Sequence, residues 1–420
     1  MRLNTNRFLD CLYIRLLTVG LLTMLFGGAA ISEEGVKTSD YSGNLISGGD
    51  VDLSFRYRYE YVDQGGIFDR AKASTVRSRL SLQSGTHRNF DFFVEVDDVR
   101  EVGVDDFNAG AGNTPNRTRY PVVADPEGSE VNQVYLDYNA SKSWSWRLGR
   151  QRINLDNQRF VGGVGWRQNE QTFDALSTVY QHSDVTTRYA YVSKVRRIFG
   201  DEVPAGRHEQ DGTHLLNVSR EMDGLGKVSG YYYRIDNEDS ATASTSTYGL
   251  RLSGNRNMGV FKIRYTTEYA VQKGIADNPV HFGADYWNLE AGLVFSEFDI
   301  GLGWEVLTGD ADSPGEAFRT PFATLHAFNG WADKFLTTPA AGLDDRYLKF
   351  KATHGKAMVQ MRYHDFAAED GGADFGDELD LQIGYQLSER LRGDLFIASY
   401  DGNSGFADTD KFWLMLSLQL

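Results

Sequence analysis

From residue 51 onward, apolar and polar residues alternate with a period of two, the period of a strand with two different faces. In "VDLSFRYRYEY" (51–61), Val51, Leu53, Phe55, Tyr57, Tyr59 and Tyr61 form one face, while Asp52, Ser54, Arg56, Arg58 and Glu60 form the other. A strand of a soluble sandwich usually spans five or six residues. Eleven alternating residues match a tilted strand that crosses a bilayer. The pattern recurs in "FKIRYTTEYAV", "FDIGLGWEV", "ELDLQIGYQL" and the terminal "KFWLMLSLQL".

About 18 such segments follow one another, near 51–61, 75–84, 90–99, 131–139, 144–152, 172–181, 186–195, 213–220, 227–235, 246–254, 259–271, 285–295, 297–307, 346–353, 356–366, 377–387, 390–400 and 411–420. Connections after even strands are tight turns such as "SGTHRN", "NASKS", "SEF" and "HGK", and those after odd strands are longer, notably 100–130, 196–212 and 308–345. Short turns on one side and long loops on the other predict an all-β fold, a single transmembrane antiparallel barrel in the outer membrane of a Gram-negative bacterium. A soluble β-sandwich or β-helix is the competing class, but no fixed repeat is present, and aromatics gather at strand ends (Tyr57, Tyr59, Tyr61; Trp144, Trp146; Tyr231 to Tyr233), as interfacial girdles do. Phe412, Leu414, Leu416, Leu418 and Leu420 resemble a C-terminal barrel-assembly signal, which implies the assembly machinery as a partner; that signal usually ends in an aromatic, and here it ends in leucine.

The first 32 residues break the pattern. Arg2, Arg7 and Arg15 precede the apolar run Leu16 to Phe26 and the small residues "GGAAIS", the order of a secretory signal peptide. The expected organisation is a signal peptide over 1–32, a periplasmic segment over 33–50 and the barrel over 51–420. Composition agrees: aromatics are 13% of residues, there are only 8 prolines, and Cys11, the one cysteine, falls within the leader, which removes thiol chemistry from the exported chain. The formal charge of −15 becomes −17 once three arginines and one aspartate leave with residues 1–32. So acidic a chain lacks the basic surface that nucleic-acid binding needs.

Candidate chemistry narrows to "GRQRINLDNQRFVGGVGWRQN" (149–169), where Arg150, Arg152, Arg159 and Arg167 surround Gly162, Gly163 and Gly165. A phosphate-binding loop needs a helix after its glycines, and here "TFDALSTVY" reads as another strand. The 8 histidines are scattered, with no His-Glu-x-x-His or Gly-x-Ser-x-Gly, and the acidic stretches match no calcium loop. The expectation is a protein that is not an enzyme and uses no cofactor or metal.

If apolar positions face lipid, the lumen receives basic and acidic residues in nearly equal number. Arg56, Arg58, Arg77, Arg79 and Arg147 could form one basic wall beside the loop at 153–171. Two readings remain open for these arginines: ion pairs that stiffen the barrel, or a path for an anionic ligand. Strict alternation sends Trp144, Trp146 and Leu148 to lipid and therefore Arg150 and Arg152 outward, toward lipopolysaccharide, unless a bulge follows Leu148. Arg159 and Arg167, in the loop, are then better placed for substrate contact, with the glycines freeing φ so that the loop bends over the pore.

Two stretches resemble the alginate-export family of outer-membrane porins. "GRQRINLDNQRFVGGVGWRQNEQTFDA" (149–175) matches its Gly-Arg-Gln, Asp-Gln-Arg, Trp and Phe-Asp pattern, and "PFATLHAFNGWADKFLTTPAAGLDDRYLKF" (321–350) is similar to a Thr-Leu-His-x-Phe-Asn-Gly-Trp-Ala-Asp segment found in some members. The resemblance implies an 18-stranded barrel whose lumen arginines guide a uronate polymer. Residue by residue it reaches Arg150, Arg152, Asp156, Arg159, Trp166, Arg167 and Asp174, and, without individual roles, His326, Trp331 and Asp333. The expected function is a passive channel for an anionic saccharide, alginate or its oligomers, embedded in outer-membrane lipid and lipopolysaccharide. A general or hydrophobic-compound porin, and a non-conducting structural or adhesin barrel, are the alternatives.

Overall fold

The computed structural model describes residues 48–66 and 69–420. The expected signal peptide and residues 33–47 lie outside the described residues. Eighteen strands run in chain order: β1 (Asp50–Gln64), β2 (Ala71–Gln83), β3 (Phe90–Asp106), β4 (Gly128–Ser141), β5 (Trp144–Gln151), β6 (Thr172–His182), β7 (Val185–Arg196), β8 (Arg207–Met222), β9 (Gly226–Ile235), β10 (Thr245–Asn257), β11 (Lys262–Gly274), β12 (Gly283–Phe295), β13 (Phe298–Leu307), β14 (Leu343–His354), β15 (Ala357–Ala367), β16 (Asp374–Gln386), β17 (Leu391–Gly402) and β18 (Thr409–Gln419).

Each strand pairs antiparallel with its sequence neighbours, and β1 pairs with β18 from Ser54↔Gln419 to Gln64↔Thr409. That last ladder closes the barrel. Closure leaves no strand edge whose N–H and C=O groups would face hydrocarbon unsatisfied. Leu148, Leu250 and Leu302 are 60%, 59% and 65% exposed, so the apolar face of each strand points outward. This arrangement suits lipid and inverts the logic of a soluble protein.

The buried residues lie inside the barrel, where long loops fold back against the wall. One cluster gathers Phe160, Phe173, Tyr231, Tyr286, Phe318, Phe322 and Trp331, among others, and a smaller one sits under Phe107, Tyr120 and Val123. Tyr231 and Tyr233 belong to this interior, their rings stacked 4.8 Å apart and 5% and 2% exposed, while Tyr232 between them is 41% exposed. The girdle reading therefore holds for Tyr232 alone of that trio, because a strand turns alternate side chains to opposite faces.

Strand number and the turn asymmetry match the alternating pattern. Strand ends differ where parity breaks: β3 runs to Asp106 and β8 begins at Arg207, well beyond 90–99 and 213–220. The ladders shift register by one residue between Val131 and Gln133 of β4, against β3, and between Val192 and Lys194 of β7, against β6. Beyond such a bulge the outward set changes parity, so a period-two reading stops early.

Candidate functional site

Between β5 and β6, residues 152–171 leave the wall and enter the lumen. Between β13 and β14, residues 308–342 do the same from the opposite side of the chain. The two loops cross: Val161 and Phe322 form a parallel bridge, Gly162 donates its N–H to the Phe322 carbonyl at 2.8 Å, and the Gln171 side chain donates to the carbonyls of Gly162 and Phe322 at 2.9 and 3.0 Å. The two stretches that carry the family resemblance thus lock onto each other.

The glycines serve this crossing differently from the expectation. None of Gly162, Gly163 and Gly165 has a positive φ; Asp156, Gln158 and Val164 do, as do Asn329 and Asp333 in the partner loop. Gly162 is needed for close approach instead, since a Cβ there would lie 2.2 Å from the Thr324 hydroxyl and 2.7 Å from Gln158. Thr324 in turn donates its N–H to the Gln158 carbonyl and accepts the Val164 N–H on its hydroxyl.

Charged pairs hold the loops to the wall. Arg159, 1% exposed, donates to Glu305 of β13 at 2.8 Å and to Asn329 at 2.9 Å, and lies over the Phe328 ring at 4.8 Å. Arg167 meets Glu60 of β1 at 3.0 Å and Asp333 at 3.2 Å. Burial disfavours both guanidinium charges, yet these carboxylates outweigh it and both pKa values rise. Arg159 is enclosed, and Arg167, at the edge of a cavity, has its bonds made to two carboxylates, so the expected substrate contact finds no free charge at either. The bland reading, ion pairs that stiffen the lumen, is the one the geometry supports for them.

The wall arginines behave likewise. Arg58 joins Glu60 at 2.9 Å and Asp125 at 3.4 Å, donates to the Trp166 carbonyl at 2.6 Å and sits 4.4 Å over the Trp166 ring. Arg56 donates to the backbone of Gly165 and Arg167 and to Gln168. Arg77, Arg79 and Arg152 converge on Glu170. Burial would raise the Glu170 carboxyl, but Arg79, Arg152 and Arg77 hold it down at about 2. Arg147 pairs with Asp137 at 2.7 Å and covers the Tyr135 ring.

Parity decides Arg150. Gln151 of β5 and Phe173 of β6 are buried in the lumen, so their neighbours Arg150 and Asp174 point to the outer face, where they pair at 3.0 Å and share Asp174 with Arg196. No register shift follows Leu148. Arg152 reaches the lumen nonetheless, because the strand ends at Gln151. Asp156 crosses to the far wall and accepts from Asn217, Ser229 and Lys227 at 2.6, 2.8 and 3.0 Å. Burial would raise its pKa, and Lys227 with these donors lowers it.

The second motif forms a compact aromatic and charged seat. Trp166 stacks on His326 at 4.1 Å and meets Trp413 and Phe396 edge-on. Arg362 lies over Trp331 at 5.5 Å. His326 Nδ1 and Asp333 are 2.7 Å apart, and Lys411 joins Asp333 at 2.9 Å. Burial would raise the Asp333 carboxyl, but His326, Lys411 and Arg167 hold it well below the usual carboxylate range; burial lowers His326 against the pull of that carboxylate. Glu378 of β16 accepts the Ala332 N–H at 2.6 Å. The residues missed in the sequence are these acceptors, Glu60, Asp125, Glu170, Glu305 and Glu378. Inward parity is the only signal that three of them carry, and nothing local marks them as loop anchors.

Cavities flank the crossed loops among the described residues. On the short-turn side, a basin of about 360 Å³ is lined by Arg147, Arg152 and Arg188 with one acid, Asp137. Another of about 360 Å³ is lined by Arg251, Arg264, Lys349 and Arg362 with Glu290, Glu305 and Asp345. On the long-loop side lies a larger one of about 710 Å³.

A closed barrel with lipid-facing strands, a polar lumen and in-folded loops is an outer-membrane channel of the porin class. The chain belongs to the alginate export family, whose pattern matches residues 49–337. It resides in the outer membrane of a Gram-negative bacterium. No curated protein matches it. Similar solved structures include OccK9 (OpdG) of Pseudomonas aeruginosa, with a TM-score of 0.72 at 15% identity over 90% of this chain and 99% of that one. OccAB4 of Acinetobacter baumannii gives 0.71 at 12% identity over 89% and 98%. OpdK of Pseudomonas aeruginosa, solved with vanillate, gives 0.69 at 12% over 90% and 99%. At these identities the likeness concerns the fold.

Proposed function

We propose that this channel passes an anionic saccharide, alginate or its oligomers, by passive electrostatic guidance without a chemical step. One observation carries the reading: the acids that line the basins, Asp137, Glu290, Glu305 and Asp345, are each held by a neighbouring side chain, whereas two of the basin arginines are held by no acid among the described residues. Arg188 has no carboxylate within ion-pair distance among the described residues, and Arg362 donates only to the Ala327 carbonyl at 3.1 Å. A near-neutral lumen by count is thus a cationic one along its free surface, and a low-dielectric wall concentrates that field. Arg188 and Arg362 take the guiding role that the sequence placed on Arg159 and Arg167. Family membership supports a uronate as the anion.

Planar-bilayer recordings test this. Oligouronates are expected to block the current, and Arg188→Glu together with Arg362→Glu to abolish the block and move the reversal potential toward cation selectivity. Current indifferent to oligouronates removes the saccharide assignment, and absence of current removes the passive-channel reading.

A further inference from the structure

The 710 Å³ cavity on the long-loop side has a composition unlike the two basins. Four cations line it, Arg167, Arg197, Lys334 and Lys411, against one acid, Asp333. Arg167 and Lys411 are already bound to that acid. Arg197 and Lys334 are not. Among the described residues neither has a carboxylate partner: Arg197 donates to the Pro321 carbonyl at a long 3.4 Å, and Lys334 to the Thr409 hydroxyl at 3.0 Å, 5.4 Å over the Tyr400 ring. Burial lowers the pKa of both, and no acid in contact offsets it at Arg197. A half-buried cation without a counter-charge carries part of its desolvation cost uncompensated, and an anionic ligand removes that cost.

Most of the remaining lining is apolar, with Val62, Val122, Phe199, Leu325, Leu336 and Phe406 around the two cations, and Gln64, Gln171, His326 and Thr337 are its polar members. Val122 and Leu336 are 49% and 44% exposed although they belong to loops beyond the strands, where water and not lipid is the neighbour. Exposed apolar side chains facing a cavity of ligand size mark a surface that gains by being covered. A uronate, hydroxylated all round, satisfies the cations but leaves these side chains uncovered.

We propose that this outer vestibule is a binding site for a small amphipathic carboxylate, an anion with one carboxylate and an apolar body. The Arg197 fork takes the carboxylate oxygens, with Lys334 as second cation, and the apolar body lies along Leu336, Phe406 and Val122. The site is separate from the basins beyond the crossed loops and does not rest on the saccharide reading.

Isothermal titration of the full-length protein in detergent, with benzoate and glucuronate as probes, tests it independently of conductance. Benzoate is expected to bind at least tenfold more tightly than glucuronate. Arg197→Gln and Lys334→Gln each weaken benzoate at least tenfold, and Arg197→Lys restores part of the loss. Leu336→Asn, at an exposed position that leaves the fold intact, weakens benzoate but not glucuronate. No benzoate binding by a protein that still conducts overturns the proposal. So does glucuronate binding as tight as benzoate and equally dependent on Arg197, which makes the vestibule a saccharide station instead.

Discussion

Two regions of one lumen use arginine in opposite ways. Where the loops cross, Arg58, Arg79, Arg159 and Arg167 are enclosed and matched to Glu60, Asp97, Glu170, Glu305 and Asp333. A few strands away, Arg188 and Arg362 line the basins with no carboxylate in ion-pair distance among the described residues. The same side chain is a strut in the first setting and a guide in the second. Enclosure decides which, because a buried guanidinium requires a counter-charge and a solvated one does not.

The sharpest way to break the comparison is to remove a strut. Arg159→Leu leaves Glu305 and Asn329 buried without their partner, a cost of about 3–5 kcal/mol. The barrel should still close, since no strand ladder is touched. Single-channel conductance should rise and residues 308–342 should become protease-sensitive. Unchanged conductance with an uncleaved loop would mean that the pair does not hold the crossing.

Acid should act on the same clamp. Glu170 sits at about 2, against an ordinary 4.5, so its ionised form favours the packed loop. A carboxyl whose packed-state pKa is depressed contributes above its free pKa, and the contribution fades as pH falls from about 4.5 toward 2. The loss amounts to at most roughly 3 kcal/mol. Conductance should climb over that window in the wild type, and Glu170→Gln should flatten the climb.

A smaller effect separates close approach from backbone freedom. Gly162→Ala places a methyl 2.2 Å from the Thr324 hydroxyl and should loosen the crossing by about 1–3 kcal/mol. Gly165→Ala, whose nearest atom is 3.7 Å away, should leave the conductance unchanged. The smallest effect belongs to the outer face: Arg150→Ala removes a partly exposed pair with Asp174 and should cost under about 1 kcal/mol in thermal melts of the detergent-solubilised protein. Any larger loss would assign Arg150 a structural part that its position does not suggest.

Much of this was legible in the chain. Period-two runs of ten or more residues can only be two-faced strands, and their apolar sets, from Tyr57 to Leu416, do face outward. Alternating turn lengths specified which ends point the same way. Parity also placed Arg150 outward correctly, since nothing interrupts β5 before Gln151. It failed at the bulges in β4 and β7, where one extra residue reverses the faces, and at Tyr231 and Tyr233, where aromatic identity suggested a girdle and register put them inside.

Sequence by itself therefore determined the barrel, its strand number and the two stretches that matter, because strand period and turn length are local properties of the chain. Only the tertiary structure decided that those stretches, some 150 residues apart, cross inside the lumen through Val161 and Phe322. It also decided which arginines are struts and which are free. That choice depends on the carboxylate that closure brings within 3 Å, and Glu60 and Glu305 reach Arg167 and Arg159 from strands no local pattern connects to them.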